Sequence, residues 1–409
     1  MESHGQVTAD QAAALLGVQI QTIYAYVSRG LLTRTHLTNQ AGHRVSGFAR
    51  EEVLRLAAER TRVRLGSLEV LVETDVTMLD PKGALFFRGR PARALVGWRF
   101  EDVAELVWTG HEPRPGSKTR CWSIDDADVE VAVRAVAALP SAASDVDRIR
   151  VAVIALAAAD GHRDDLSPEH VLAVGRRAIL GGVAAIPLRN RPVGGSVEAL
   201  LWARLSDRAP GPLKLTALRT ALILLVDHEL AASTMAARIT AGTSADPWLV
   251  VLTGLAAIGG AKHGRSNLSV QGLLRAVRRD GSTALDPYAG KGPVPGFGHK
   301  VYVDADPRAE TLLDLVAELD PQGWPVIEEL LLSVSRTHRL SPNVDFALAA
   351  MVLACHLPPD AGETVFALSR IVGWIAHGLE EYPQGLRFRP RAVYTGDAPS
   401  ALRPGGGGS

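Results

Sequence analysis

Apolar residues recur at three- and four-residue spacing along most of the chain, the period of a helix with one buried face. The segments 100–109, 129–139, 146–158, 215–229, 310–319, 344–355 and 364–382 carry this pattern, which predicts a helix over each. Strand-like alternation is scarce. Its best run, 84–88, lies in a Gly- and Pro-bounded stretch, 78–91, that reads as a hairpin. The pattern predicts an all-α protein without a fixed-period repeat. Breaks rich in Gly, Pro and polar residues fall at 60–67, 112–119, 189–195, 206–212 and 290–298. The first sets a small N-terminal unit apart. The last falls inside the larger body, among residues that carry chemistry.

The N-terminal unit, residues 1–60, reads helix, turn, helix, wing, helix. Thr8 is the predicted N-cap of a helix over 9–16, and Gly17 ends it. A second helix over 19–28 follows at helix-turn-helix spacing. The stretch 29–47 is basic and contains Gly, and 50–58 is helical again. The run VTADQAAALLGVQIQTIYAYVSRGLL…HRVSGFAREEVLRLAA resembles the winged helix-turn-helix units of mercury-resistance-regulator-type repressors and phage excisionases. By that resemblance Gln19, Gln21, Thr22, Tyr24 and Arg44 face DNA. Residues 1–64 hold eight arginines against five carboxylates, a net charge of +3. A small helical domain used for protein contacts is the other reading.

Composition narrows the picture. The 409 residues are 47% hydrophobic and 22% charged, an ordinary balance for a globular chain with a sizeable core. The formal net charge is zero, which excludes generic polyanion binding by the whole molecule. Two cysteines, Cys121 and Cys355, make neither a disulfide framework nor a four-thiolate metal site, and both are expected to be buried apolar residues in a reducing compartment. The N-terminus lacks a secretory pattern. The apolar runs fall short of the roughly 20 residues a membrane helix needs. A cytoplasmic protein with no membrane partner is expected. The tail ALRPGGGGS reads as flexible chain outside the fold.

Five stretches of the larger body cluster His, Arg and Asp among apolar helices. They are ILLVDHELAASTMAARI, GLAAIGGAKHGRSN, PVPGFGHKVYVDADPRA, LSPNVDFALA and FALSRIVGWIAHGLEEYPQGLRFRPRAVYTGD. Each alone is ambiguous, since a single His on an apolar helix is commonly a satisfied core residue. In type, order and spacing together they resemble the citrate synthase family, including 2-methylcitrate synthases. The resemblance runs over about 71–397, opening with VETDVTMLDPKGALFFRGRPARALVGWRF, and its most specific marks are GFGH…DPR and PNVDF. It implies a large helical domain (68–261 and 364–398) and a small one (262–363), with the site in the cleft between them. It also implies a homodimer or higher assembly.

The resemblance assigns roles that fit the chemistry. A thioester methyl group is a weak carbon acid, so a base must stand against it and a donor must meet the enolate oxygen. By motif match Asp345 is the base, His263 the enol stabiliser, and His299 the group that polarises the acceptor ketone. Oxaloacetate carries two carboxylates, which guanidinium groups clamp. Arg308, Arg370 and Arg389 match the family's three arginines, the last reaching the partner subunit's site, and His228 matches a further substrate-binding histidine. Val294, Gly296, Phe297, Gly298 and Lys300 are expected along CoA, the two glycines permitting close approach. Acyl-CoA is a substrate, and the implied reaction, condensation then thioester hydrolysis, uses no cofactor and no metal.

The sequence departs from the family at three places. Ala231 stands where Asn is usual, which removes a polar contact near the substrate. Lys262 stands where an apolar residue is usual, putting a cation beside a histidine that must stay neutral. Val303 replaces a usual basic residue, with Lys300 close by to meet CoA phosphates. None of the three removes a proposed catalytic group. A second reading is a DNA-binding transcription regulator whose synthase-like body senses an acyl-CoA or an oxoacid. A third is an acyl-CoA lyase running a related reaction in reverse.

Overall fold

The computed structural model describes residues 6–16, 18, 20–28, 31–38, 44–61, 71–112, 121–260, 263–264, 266–288 and 292–390. Gly17, Gln19, Arg29 and Lys262 lie outside them, as do most of the predicted breaks at 60–67 and 112–119 and the tail. The chain divides into two compact units, Met1–Glu73 and Thr74–Ser409.

In the first unit β1 (Gln6–Thr8) leads into α1 (Ala9–Leu16) and α2 (Ile20–Ser28), then β2 (Arg34–Thr38), β3 (Arg44–Ala49) and α3 (Arg50–Thr61). Thr8 starts α1 through a reciprocal capping box. Its main-chain N–H donates to Gln11 Oε1 at 3.0 Å, and its Oγ1 accepts from Gln11 N at 3.3 Å. The strands form an antiparallel sheet, β1-β3-β2, with Thr35 opposite Gly47 and Thr8 opposite Gly47 on its other side. Ala12, Ile23, Phe48 and Val53 are fully buried at its centre. Strand β1 is the element the hydrophobic pattern did not mark.

The second unit opens on a short antiparallel sheet, β4 (Thr77–Asp80), β5 (Ala84–Phe87) and β6 (Arg90–Pro91). Helices follow: α4 (Ala92–Leu95), α5 (Phe100–Thr109), α6 (Asp126–Val136), α7 (Asp145–Ala159), α8 (Pro168–Ala184) and α9 (Val197–Leu205). Then come α10 (Pro212–Leu225), α11 (Ala232–Gly242), α12 (Pro247–Ile258) and α13 (Ser266–Asp280). A 3-10 helix (Gly281–Tyr288) precedes α14 (Pro307–Leu319), α15 (Trp324–His338), α16 (Val344–Ala354) and α17 (Ala361–Glu381). The starts are written in sequence. Ser144, Ser167, Asp246, Asp306 and Asn343 each accept a main-chain N–H of the helix they open, and Pro follows three of them. The fold is almost all helical, as the pattern predicts.

Helix α17, 21 residues and so about 30 Å long, runs through the core. It is buried on nearly every side, against α5, α8, α10, α11 and α12. Trp374 lies flat on Gly254 of α12, where any side chain would collide with the indole. No helix among the described residues is long and apolar enough to cross a membrane.

Two expectations need correction. The helix predicted over 215–229 stops at Leu225. Asp227 Oδ2 takes the Glu229 N–H at 3.0 Å, Glu229 turns to φ +52°, and Gly373 of α17 donates to the Val226 carbonyl at 2.9 Å. The chain therefore leaves the helix before His228. Cys355 is buried as expected, but Cys121 is exposed, and its Sγ accepts from Arg99 Nη2 at 3.1 Å.

Candidate active site

The turn after α10, the start of α11, the turn before α13, the loop 298–301 and the first turns of α14 and α16 meet Phe366 and Arg370 of α17 around a cavity of about 500 Å³. His228, His263, His299, Arg308, Asp345 and Arg370 all line it, from positions spread over more than 140 residues of chain. Six of the seven expected catalytic and substrate-binding side chains thus converge. Arg389 does not: it is exposed and lines no part of this cavity.

Arg370 is 1% exposed. Its Nε donates to the Leu225 carbonyl at 2.8 Å and its guanidinium lies 4.7 Å over the Phe366 ring, which fixes the fork. Nη1 and Nη2 meet no acceptor among the described residues. Burial draws this cation down to about 10. A buried guanidinium with two unmatched donors is costly unless an anion meets it, and a carboxylate fits that fork bidentately. Arg308, 3% exposed, is held differently: Asp306 takes its Nε at 2.9 Å and its Nη2 at 2.8 Å, and the same carboxylate takes the Val344 N–H that begins α16. Asp306 therefore ties the DPR turn to the helix that carries Asp345.

The three histidines are held neutral. Burial, then the Arg308 and Arg370 charges, keep His228 well below the ordinary imidazole range. Burial and Arg370 bring His263 to about 4. Burial and Arg308 lower His299. His299 Nδ1 accepts main-chain N–H bonds from Val301 at 3.0 Å and Tyr302 at 3.3 Å. Two donors on Nδ1 put the ring proton on Nε2, which faces the cavity beside Arg308 Nη2 at 3.5 Å. His263 Nε2 lies 2.9 Å from Ser233 Oγ, a fully buried hydroxyl in the first turn of α11.

Asp345 sits in the first turn of α16, whose N-cap Asn343 accepts the Asp345 N–H at 3.0 Å. Burial pushes its carboxyl above the ordinary range, against the Ser266 hydroxyl and the Arg308 charge that pull it down. A carboxylate raised in this way is a stronger base than a solvated one.

Of the residues expected along CoA, Gly298 and Lys300 line the cavity. Val294 and Phe297 have buried side chains. Gly296, at φ +82°, packs instead against α16, where an added Cβ would stand 2.9 Å from Phe346 Cβ. Its carbonyl accepts from Asn343 N at 2.9 Å, so the loop braces the cap of α16. Ala231 is the N-cap of α11, lines the cavity and supplies no side-chain cap. Val303 is 81% exposed. Sequence reasoning missed Ser233, Asp306 and Tyr302, which touch the named residues rather than matching a role of their own. Asp306 was visible as the D of DPR; nothing in the one-dimensional pattern marks the other two.

Comparison with known proteins agrees in extent. The family model described as "Citrate synthase, C-terminal domain" matches residues 67–391. Citrate synthase 2 of Bacillus subtilis is 31% identical over 270 residues, 61% of this chain and 72% of that protein. The citrate synthase of Mycolicibacterium smegmatis is 28% identical over 84% of this chain and 98% of its own length. The 2-methylcitrate synthase of Mycobacterium tuberculosis is 28% identical over 83% and 92%. Among solved structures, Thermoplasma acidophilum citrate synthase in ternary complex with carboxymethyl coenzyme A and oxaloacetate superposes with a TM-score of 0.67 at 25% identity, covering 82% of this chain and 97% of that one. Pyrobaculum aerophilum citrate synthase gives 0.65 at 25% identity, covering 91% and 98%. The chain belongs to the citrate synthase family and is an acyltransferase-type enzyme.

Proposed function

We propose that this enzyme condenses acetyl-CoA or propionyl-CoA with oxaloacetate and then hydrolyses the thioester, releasing citrate or 2-methylcitrate and CoA. The observation that carries the reading is one cavity holding a raised carboxylate, neutral histidines and a buried arginine with unmatched donors. Asp345 takes a proton from the acyl α-carbon. Neutral His263 donates to the enolate oxygen without the cost of a charged acid, its ring oriented by Ser233. His299 Nε2–H polarises the ketone. Arg370 and Arg308 meet the oxoacid carboxylates, with His228 beside them. Gly298 and Lys300 lie toward the CoA side, with Val294, Gly296 and Phe297 bracing the loop, and the working unit is a homodimer in which Arg389 serves the neighbouring site.

A free-thiol assay with oxaloacetate and a series of acyl-CoAs tests this. Thiol release from acetyl-CoA or propionyl-CoA only when the oxoacid is present is the expected result. Release that ignores the oxoacid would overturn it.

A second reading adds DNA binding by residues 1–60. A polar groove of about 610 Å³ between the start of α2 and the β2–β3 hairpin supports it, lined by Tyr24, Arg34, His36 and Arg44. Basic side chains around a helix start suit a phosphate backbone. Binding that weakens steeply with salt supports this reading, and no binding at low salt leaves only the protein-contact role.

A further inference from the structure

Tyr302 lines no part of the cavity and is 4% exposed, yet it touches three groups that do line it. Its hydroxyl lies 3.2 Å from His228 Nε2, with the two rings edge to face at 5.6 Å. Its ring lies 4.8 Å from that of His299, and its main-chain N–H donates to His299 Nδ1. The guanidinium of Arg308 stands 5.9 Å over its face. His228 and His299 also meet edge to face at 5.2 Å, so the three rings form one packed cluster. A residue that only filled space would need no hydroxyl here, because a buried O–H without a partner is costly. Among the described residues the hydroxyl's hydrogen-bond partner is the histidine.

We propose that Tyr302 is a positioning residue for the oxoacid side of the site. Its hydroxyl sets the orientation of His228, while its ring supports His299. The proposal rests on the condensation reading above. It divides the residue into two separable parts, because Phe keeps the ring and loses the hydroxyl, whereas Leu loses both.

The test measures steady-state kinetics and oxaloacetate binding for full-length wild type, Tyr302→Phe and Tyr302→Leu. For Tyr302→Phe the oxoacid KM rises about five- to tenfold, the size one hydrogen bond carries, while kcat and the acyl-CoA KM barely move and the melting temperature falls by only a few degrees. Tyr302→Leu adds a fall in kcat, because the support of His299 is gone. A merely structural role would not split the two KM values in this way. An active wild type beside a Tyr302→Phe variant with unchanged oxoacid KM and unchanged oxaloacetate affinity overturns the proposal and leaves the condensation reading intact. An inactive wild type that binds oxaloacetate overturns the condensation reading instead. The affinity measurement then decides the hydroxyl's role by itself: weaker binding by Tyr302→Phe supports it, and equal binding refutes it.

Discussion

Three histidines are kept neutral by burial and by nearby arginines, and one carboxylate is pushed up by burial. Most of these residues were legible because the family motifs name them. Their environments were not, because burial and the approach of Arg308 and Arg370 depend on contacts between distant segments. Ser233 shows the difference: the sequence presents one serine among several, and only folding brings its hydroxyl against His263. Ala231 is a residue-scale departure with two consequences, since it leaves α11 without a side-chain cap and removes an amide from the cavity wall. Ala231→Asn supplies both: its oxygen can cap the helix, worth about 1 kcal/mol, and its NH2 can reach the oxoacid, worth about 0.5–1.5 kcal/mol. The expected outcome is a higher melting temperature and a lower oxoacid KM. A KM that stays or rises means that the pocket is already served there by another group.

At the scale of elements the helical period marked some helices and passed over others: α13 and α15 each show solvent a face and were not among the predicted spans. Helices α5, α7 and α14 show the helical period and lie within a few residues of their predicted spans. Helix α12 (PWLVVLTGLAAI) gives no such signal, because it packs between α11 and α17 and is apolar all round. The end of α10 was illegible for a related reason. Apolar residues run on through Val226, and the stop comes from α17, whose Gly373 donates to the Val226 carbonyl. A Cβ at Gly373 would collide with that carbonyl and with Asp227 Oδ1. Gly373→Ala therefore has to push the turn bearing His228 away from α17, at a cost of about 1–3 kcal/mol. Thermal melting should show the loss, and the oxoacid KM should rise with it. A variant as stable and active as wild type would mean that the turn is not braced by α17.

At the scale of the whole molecule, the two compact units each hold a hydrophobic core of their own. All the residues around the candidate active-site cavity fall between Leu79 and Arg370, inside the second unit. Deletion of residues 1–60 is therefore expected to leave condensation activity within about twofold. A truncated protein that is folded yet inactive would make the first unit part of the catalytic architecture. The break at 60–67 pointed to a small N-terminal unit, which in the structure ends at Glu73, whereas convergence on one cavity required the chain to be folded. The most direct measurement compares wild type with Asp345→Ala for thiol release in the presence of oxaloacetate, alongside calorimetric binding of oxaloacetate. The predicted result is a loss of several orders of magnitude in kcat with oxaloacetate affinity largely kept, because a proton transfer in the transition state is removed. Equal turnover in the variant would contradict the account at its centre.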